Sequence, residues 1–353
     1  MKVSDYIASV IGAYNPFVVQ GGAAVHMIDS LARGGHKYVC CAHEQGAAFA
    51  ADGYAKIKGL GVAVTTCGPG ATNLLTAAAS AYFENVPVLY LVGQQHGFQE
   101  LDIVGMFKSV THYAKQVTDP ETMALELATA VGLACERRGP VLLNIFDEVY
   151  RADAQLEVHH FNPRQYQPPQ TDLIYSKPRN PPGDSLPYRF MRELRKHDCQ
   201  VVTDIGNHGV WVKQTGPAIS DNNFGAMGYA IAAAMGVSCA GKTVACVNGD
   251  GGIQMNIQEL ATIAKHDMDI KIFILNNGGY GMIRNTQDTW LEGRHAGCDL
   301  VDLPLVDFER IATAYGIPNR RWDSEEDFDF EGVFAMKGPV LVNVRVSPDE
   351  VIA

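Results

Sequence analysis

The same order of apolar strands, glycine turns and helices occurs twice in this chain, and this repeat limits the possible folds more than any other feature. The first copy runs through residues 62–66 (strand), 68–70 (turn), 71–83 (helix) and 86–92 (strand), and the second through 243–247, 249–251, 254–265 and 270–275. Nearly continuous apolar strands that alternate with helices indicate a parallel sheet that is covered on both faces.

A second pair of similar segments supports the repeat. Residues 139–145 read GPVLLNI, and residues 338–344 read GPVLVNV. The helix before the first segment is well marked, because Asp119 suits its N-cap and Pro120 its first position. We therefore predict an α/β fold class with two similar doubly wound parallel-sheet domains.

The proposed domain boundaries follow from the segment between the two copies. Residues 152–187 contain seven prolines and little periodicity, which is typical of an extended linker. The first domain would then cover residues 1–151 and the second residues 188–353. A length of 353 residues suits two domains of ordinary size.

Charge and cysteine usage exclude several classes of partner. The formal net charge is -11 and the chain has no Lys/Arg cluster, so we expect neither nucleic acid nor a membrane surface as a partner. No run of 18 apolar residues predicts a membrane span. The eight cysteines are scattered and form no C-x-x-C pair, which is typical of buried, reduced thiols in a cytoplasmic protein.

Polar residues at the ends of two predicted strands indicate a binding site. Asp250 follows one strand of the second copy, and Asn276 and Asn277 end the next. If these strands are neighbours, a carboxylate and an amide meet at the edge where ligands of open parallel sheets bind. Such oxygens suit Mg²⁺. The small residues Gly249, Gly251 and Gly252 would let backbone amides approach an anion. Taken alone, the pattern also fits a plain glycine turn with a capping Asp.

Several ordered motifs make the interpretation more specific. Gly249-Asp250-Gly251, followed after 24 intervening residues by Asn276-Asn277, resembles the thiamine-diphosphate motif. The wider sequence is similar to the acetolactate synthase family over residues 15–150 and 200–316. The segments that carry this resemblance are HEQGAAFAADGYAK (43–56), GPGATN (68–73), FQELDIVG (98–105), GDGGIQMNIQEL (249–260) and GMIRNTQ (281–287).

The resemblance implies catalytic roles in the first domain, which would be the pyrimidine-binding fold. Glu44 would protonate the aminopyrimidine ring of the cofactor, whereas by itself it would be interpreted as a helix-start carboxylate. Phe98 and Gln99 match residues that face the substrate, although ordinary loop packing is an equal alternative. Arg284 could meet a substrate carboxylate or cap a helix.

The resemblance also implies cofactor contacts in the second domain, which would be the diphosphate-binding fold. Asp250, Asn277 and the backbone carbonyl of Gly279 would hold Mg²⁺. Met227 would lie beneath the cofactor and force its bent form, and it would join Gly225 in offering backbone groups to the pyrimidine. A buried Met is otherwise ordinary core. In this family the two kinds of domain serve one cofactor from different subunits, so a homodimer or homotetramer is implied.

Two departures from the family leave the reaction open. The middle domain that binds FAD is missing, so we do not expect FAD, and Thr286 replaces the usual tryptophan that selects the second 2-oxo acid. The first hypothesis is decarboxylation of a 2-oxo acid such as pyruvate with carboligation. The alternative is decarboxylation that releases an aldehyde, as in the similarly arranged phosphonopyruvate and sulfopyruvate decarboxylases. A third is a non-catalytic thiamine-diphosphate binder. A nicotinamide dehydrogenase is excluded, because neither glycine turn supplies G-x-G-x-x-G.

Overall fold

The computed structural model of this protein describes residues 1–157, 183–299, 302–304, 306–350 and 352. The chain divides into two compact units, Met1–Gln170 and Thr171–Ala353. Most of the predicted linker 152–187 lies outside the described residues. At its described start, the Ala154 amide donates to the Met1 carbonyl at 3.1 Å, and near its end a helix begins at Leu186.

The first unit contains six described strands. These are β1 (Phe17–Val18), β2 (Val39–Cys40), β3 (Gly61–Thr65), β4 (Val88–Gln94), β5 (Tyr113–Val117) and β6 (Val141–Phe146). Its helices are α1 (Val3–Ile11), α2 (Val25–Arg33), α3 (Glu44–Lys58), α4 (Pro69–Thr72), α5 (Leu75–Phe83), α6 (Ile103–Phe107), α7 (Met123–Arg137) and α8 (Asp147–Arg151). Asp119 caps the turn before α7 by accepting from the Glu121 amide at 3.0 Å, as its pattern predicts.

The second unit contains five described strands. These are β7 (Gln200–Thr203), β8 (Val244–Gly249), β9 (Ile270–Asn276), β10 (Asn319–Trp322) and β11 (Val340–Arg345). Its helices are α9 (Leu186–Leu194), α10 (Asn207–Thr215), α11 (Tyr229–Cys239), α12 (Asp250–Ile253), α13 (Glu259–Lys265), α14 (Gly281–Trp290), α15 (Phe308–Ala314) and α16 (Phe330–Ala335).

The order of the strands confirms the predicted repeat. The first sheet has the order β2-β1-β3-β4-β6-β5, and the second, read from its other edge, has the order β7-β8-β9-β11-β10. The second order is therefore the first without β2. All strand pairs in both described sheets are parallel. The two GPV segments open β6 and β11, which occupy equivalent positions, so the predicted fold class is confirmed.

Two predicted helices are broken into shorter pieces. The helix predicted over 71–83 is divided between α4 and α5, where the Leu74 amide donates to the Ala71 carbonyl three residues back. The helix predicted over 254–265 begins instead with a 3-10 turn over Gln254–Asn256, and its α-helical part, α13, starts only at Glu259. Such turns tighten the chain locally, and hydrophobic periodicity does not reveal them.

Each unit has its own hydrophobic core between sheet and helices. The first core contains Tyr6, Leu91 and Leu143, and the second contains Phe190 and Phe273, whose ring centroids are 5.3 Å apart. No helix in the described ranges has both the length and the apolar character needed to cross a membrane.

None of the eight cysteines, all of which lie in the described residues, forms a disulfide. Cys67, Cys246 and Cys298 are buried, as the sequence predicts. Cys40 is exposed, so the expectation of burial is wrong there. It ends the short strand β2, which lies at the edge of its sheet and leaves this side chain uncovered.

The contact between α3 and β3 depends on a residue without a side chain. A methyl group on Gly61 would overlap the carbonyl oxygen of Ala51, which belongs to the helix backbone and cannot rotate away. The helix therefore lies directly on the strand.

We predict that Gly61→Ala lowers the free energy of unfolding by about 1–3 kcal/mol, because the added methyl group must separate α3 from β3. Urea unfolding followed by circular dichroism measures this change. Gly132→Ala is the matched control, since Gly132 lies in α7 with open space around its Cα and should gain up to about 1 kcal/mol. Equal unfolding midpoints for the two variants would contradict the prediction.

Candidate functional site

The pairing of β8 with β9 places two turns side by side at the carboxyl edge of the second sheet. The register joins Asn248 to Ile274 and Gly249 to Leu275. The strands that precede Asp250 and Asn277 are thus neighbours, which is the condition that the sequence left open. Because parallel strands end at one edge, both residues belong to it.

A cavity of about 280 Å³ opens at this edge. Seven of the nine predicted cofactor or metal residues line it, namely Met227, Gly249, Asp250, Gly251, Gly252, Asn277 and Gly279. Of the other two predicted residues, Gly225 lies nearby, since a Cβ on it would be 3.8 Å from Ile205 of the cavity wall. The remaining one, Glu44, belongs to the first unit.

Two glycines allow the turns to approach each other closely. A methyl group on Gly251 would overlap the ring of Tyr280, and one on Gly279 would overlap the backbone carbonyl of Cys298. Backbone groups therefore form much of the cavity wall. This arrangement suits an anion that is bound by main-chain amides.

Asp250 is the carboxylate of this site. Its side chain accepts from the Gly251 amide at 3.0 Å. Burial raises the pKa of Asp250 to about 6, so a cation beside it would stabilise its ionised form at neutral pH. The donor types around it, one carboxylate, the Asn277 amide and the Gly279 carbonyl, fit Mg²⁺.

No cluster of three or more His, Cys, Asp or Glu side chains in the described part of the chain is placed to hold a metal ion. A metal at this edge would therefore depend on the mixed set around Asp250. The Gly279 carbonyl already accepts from the Gly281 amide at 3.1 Å, and a carbonyl oxygen has a second lone pair for a cation.

The sequence analysis missed two residues of the same cavity wall. Asn207 and His208 begin α10 just after β7, and both line the cavity. Both polar atoms of the Asn207 amide and Nε2 of His208 are buried without a hydrogen-bond partner among the described residues. Buried polar groups without partners are uncommon, so these atoms suit a polar ligand. The end of β7 was the available signal, because it lies at the same edge of the sheet.

A buried carboxylate holds the segment that carries Met227. Asp204 is 1% exposed and accepts from the Gly228 amide at 2.7 Å and the Ile205 amide at 3.0 Å. Burial raises the pKa of Asp204 to about 7, and the nearby charge of Asp221 adds to this.

The same segment is held at two further points. The Asn256 amide donates to the Gly228 carbonyl at 3.0 Å, and Asp221 accepts from the Ala226 amide at 2.9 Å. Both backbone groups of Gly228 are thus fixed, so Met227 sits on a rigid segment.

In the first unit, Glu44 is held by the GPGATN segment. It is the first residue of α3, and the Asn73 side chain donates to its Oε2 at 2.9 Å. A Cβ on Gly70 would lie 3.6 Å from its other oxygen. The next turns of α3 bury Ala47 and Ala48, the small apolar residues that the sequence predicts there.

Phe98 and Gln99 have different environments. Gln99 has a left-handed backbone (φ 60°), and a Cβ on Gly68 would lie 2.7 Å from its own Cβ, so it packs on the turn beside Glu44. The Phe98 side chain is 72% exposed in the chain as described. Arg284 donates to the Pro348 carbonyl at 2.8 Å, which neither sequence interpretation of this residue anticipates.

Comparison with protein families agrees with this division of the chain. Residues 1–119 match the N-terminal TPP binding domain of thiamine pyrophosphate enzymes, and residues 204–344 match the C-terminal TPP binding domain. The two matches together cover most of the chain.

Curated relatives are acetolactate synthases. The chain is 24% identical to the acetolactate synthase isozyme 2 large subunit of Escherichia coli (strain K12), with 95% of this chain and 93% of the relative covered. It is 26% identical to acetolactate synthase of Arthrospira platensis, with 96% and 92% covered. A shorter match, 36% identical over 157 residues, is to the acetolactate synthase large subunit of Cyanidium caldarium, with 42% and 27% covered.

The alignment to the E. coli relative shows how much is missing. It extends over 512 positions, whereas 95% of 353 residues is about 335, so about 177 positions have no residue of this chain opposite them. This is consistent with the absence of a middle domain, while the expectation that FAD is not bound stays a prediction. With both binding domains matched, the chain belongs to the thiamine pyrophosphate enzyme family.

Proposed function

We propose that this protein catalyses the thiamine-diphosphate- and Mg²⁺-dependent decarboxylation of a pyruvate-like 2-oxo acid followed by carboligation, as in its acetolactate synthase relatives. The observation that carries the proposal is the cavity at the β8–β9 edge, where the predicted metal residues and Met227 meet beside the unpartnered Asn207 and His208. Bound thiamine diphosphate would supply the electron sink for decarboxylation.

The residues of this cavity would bind the cofactor and orient it. Asp250, Asn277 and the Gly279 carbonyl would hold Mg²⁺ against the diphosphate. The amide of Asn207 and the ring of His208 would give the diphosphate the hydrogen bonds that they lack within the chain. Met227 would support the cofactor from the segment that Asp204 and Asn256 hold.

Glu44 would deliver and accept a proton at the aminopyrimidine ring. The Asn73 side chain fixes its Oε2 at 2.9 Å, which sets the plane of the carboxyl group before any ligand arrives. Gln99 and Phe98 would face the 2-oxo acid, with Gln99 placed by its contact with Gly68. A fixed proton donor acts without further reorganisation of the site.

A homodimer or homotetramer with active sites between subunits is part of the proposal, because the resemblance implies that Glu44 and the metal site serve one cofactor from different subunits. Sedimentation at working concentration tests this, and a monomer would contradict the shared site. A cytoplasmic location is also proposed, supported by eight cysteines that form no disulfide.

Aldehyde release is the second candidate reaction. It is favoured by the roughly 177 positions missing from the alignment and by Thr286, which replaces the tryptophan that usually selects the second 2-oxo acid. If water enters the site, protonation would precede the addition of a second substrate, and the product would be an aldehyde. The non-catalytic binder is disfavoured, since Glu44, Asp250 and Asn277 are all retained.

Incubation with Mg²⁺, thiamine diphosphate and pyruvate distinguishes these reactions when acetolactate and acetaldehyde are both followed. We expect acetolactate. Formation of acetaldehyde without acetolactate would contradict carboligation and support decarboxylation with aldehyde release. If neither pyruvate nor 2-oxobutyrate is consumed, the protein acts on another 2-oxo acid or is a non-catalytic thiamine-diphosphate binder.

We predict that Glu44→Gln lowers turnover by about 100-fold or more, because the amide cannot exchange the ring proton. Steady-state kinetics measures the loss, and circular dichroism checks that the fold survives.

Glu148→Gln is the matched control for this substitution. Glu148 also lies in the first turn of a helix, and its side chain is 53% exposed. We expect it to leave turnover within about twofold, since it is outside the proposed proton path. Similar losses of turnover in both variants would contradict the proposed role of Glu44 in proton transfer.

We predict a pH-dependent contribution of His208 to stability. Burial lowers its pKa to about 3, so His208 stays neutral in the fold while the unfolded chain takes up a proton below about pH 6.5. Stability from this group is therefore present above pH 6.5 and is lost as the pH falls towards 3. Between pH 7 and pH 5 the loss is about 2 kcal/mol, and His208→Gln should abolish it.

Urea unfolding at both pH values, followed by tryptophan fluorescence, measures this difference. The three tryptophans, Trp211, Trp290 and Trp322, all belong to the second unit, so the signal reports the unit that contains His208. Parallel pH dependences in the wild-type protein and the variant would show that His208 is not buried in its neutral form.

A further inference from the structure

The side chain of Gln287 fastens the segment after α14 back onto that helix. Its Nε2 donates to the Ala296 carbonyl at 2.8 Å, and its Oε1 accepts from the Ala296 amide at 3.1 Å and from the Cys298 thiol at 3.0 Å. The Gln287 side chain thus bonds both backbone groups of Ala296, as a neighbouring strand would, and it also fixes Cys298, which is completely buried.

The fastened segment reaches the turn after β9. The Cys298 carbonyl accepts from the Tyr280 amide at 2.8 Å, and it lies where a Cβ of Gly279 would be. No other residue type at position 279 would allow this approach. The contact therefore joins residue 298 to the turn that carries the proposed metal ligand.

The hydrogen bond of the Tyr280 amide also affects the Gly279 carbonyl, because both groups belong to the same peptide unit. The Tyr280 N–H and the Gly279 C=O belong to one planar trans peptide, so they point in opposite directions. Once the N–H is directed at Cys298, the direction of the Gly279 carbonyl is fixed as well. A metal ligand that is oriented by an outer contact binds more tightly than one that must be ordered on binding.

We propose that Gln287 is a positioning residue for the metal site, acting through Cys298 to orient the Gly279 carbonyl. The inference rests on the proposed function, which makes that carbonyl a ligand of Mg²⁺. Within the described part of the chain, the side-chain hydrogen bonds of Gln287 go to Ala296 and Cys298 and to none of the residues that the proposal places on the cofactor. Its effect is transmitted by the 296–298 backbone.

Three variants test the proposal. Gln287→Met keeps the length of the side chain and removes its three hydrogen bonds, whereas Gln287→Glu keeps an acceptor for the Ala296 amide and the Cys298 thiol but replaces the donor by a second carboxylate oxygen. Thr289→Val is the matched control, because Thr289 is exposed on the same helix and its hydroxyl donates only to the Asn285 carbonyl at 3.0 Å. Thermal unfolding confirms that each variant is folded, and Gln287→Glu carries the test if Gln287→Met is not.

The first measurement is hydrogen exchange of the Tyr280 amide in the cofactor-free protein. We expect exchange roughly tenfold faster in Gln287→Met, an intermediate rate in Gln287→Glu and no change in Thr289→Val, since loss of the side-chain bonds frees the segment that protects this amide. An unchanged rate in both Gln287 variants would overturn the proposal.

The second measurement is the affinity for Mg²⁺ by titration calorimetry with thiamine diphosphate present. We expect about tenfold weaker binding in Gln287→Met, with partial rescue in Gln287→Glu. Faster exchange with unchanged Mg²⁺ affinity would overturn the positioning role and leave Gln287 with a local structural one. If the wild-type protein binds no thiamine diphosphate and Mg²⁺, the proposed function fails, and the exchange rates still decide whether Gln287 holds the Gly279–Tyr280 peptide.

Discussion

The hydrogen-bonded pairing of β8 with β9 places two turns next to each other, and the candidate site is built on these turns. The register that joins Gly249 to Leu275 determines where Asp250 and Asn277 leave the sheet. A slip of one residue would turn every side chain of β9 to the other face and would move the carboxylate away from the amide. The fully buried, mostly apolar strands oppose such a slip, because their side chains fit the core on both faces.

Much of the site consists of backbone groups, and side chains outside the cavity determine how these groups point. Asp204 and Asn256 fix the two polar groups of Gly228, Asp221 fixes Ala226, and Gln287 fixes the segment around Cys298. Glycines at 251 and 279 allow the close approach, but they supply no orientation of their own. The shape of this cavity therefore depends on polar side chains that are not themselves among the proposed metal ligands.

The sequence predicts the strands and their ends well, because apolar runs bounded by glycine turns are local signals. It predicts Asp250, Asn277 and Met227 together only through the family motif, and the structure brings them to one cavity. Contacts between distant residues could not be predicted in this way. Asn73 and Glu44 are 29 positions apart, and nothing in either local sequence indicates the hydrogen bond between them. The breaks after α4 and α12 were not predicted for a related reason. Their hydrogen bonds join residues three positions apart, which hardly alters the hydrophobic periodicity.

The shared strand order gives the two units the same structural positions with different contents. Gly68-Pro69-Gly70 lies shortly after β3 in the first unit, and Gly249-Asp250-Gly251 lies at the end of β8 in the second, so only the second of these turns contains a carboxylate. Strands and cores specify the architecture, whereas the turns at their ends carry the chemistry. A duplicated scaffold of this kind permits a division of labour. One copy can carry the proton transfer proposed for Glu44 and the other the proposed cation site, and neither turn alters the sheet beneath it.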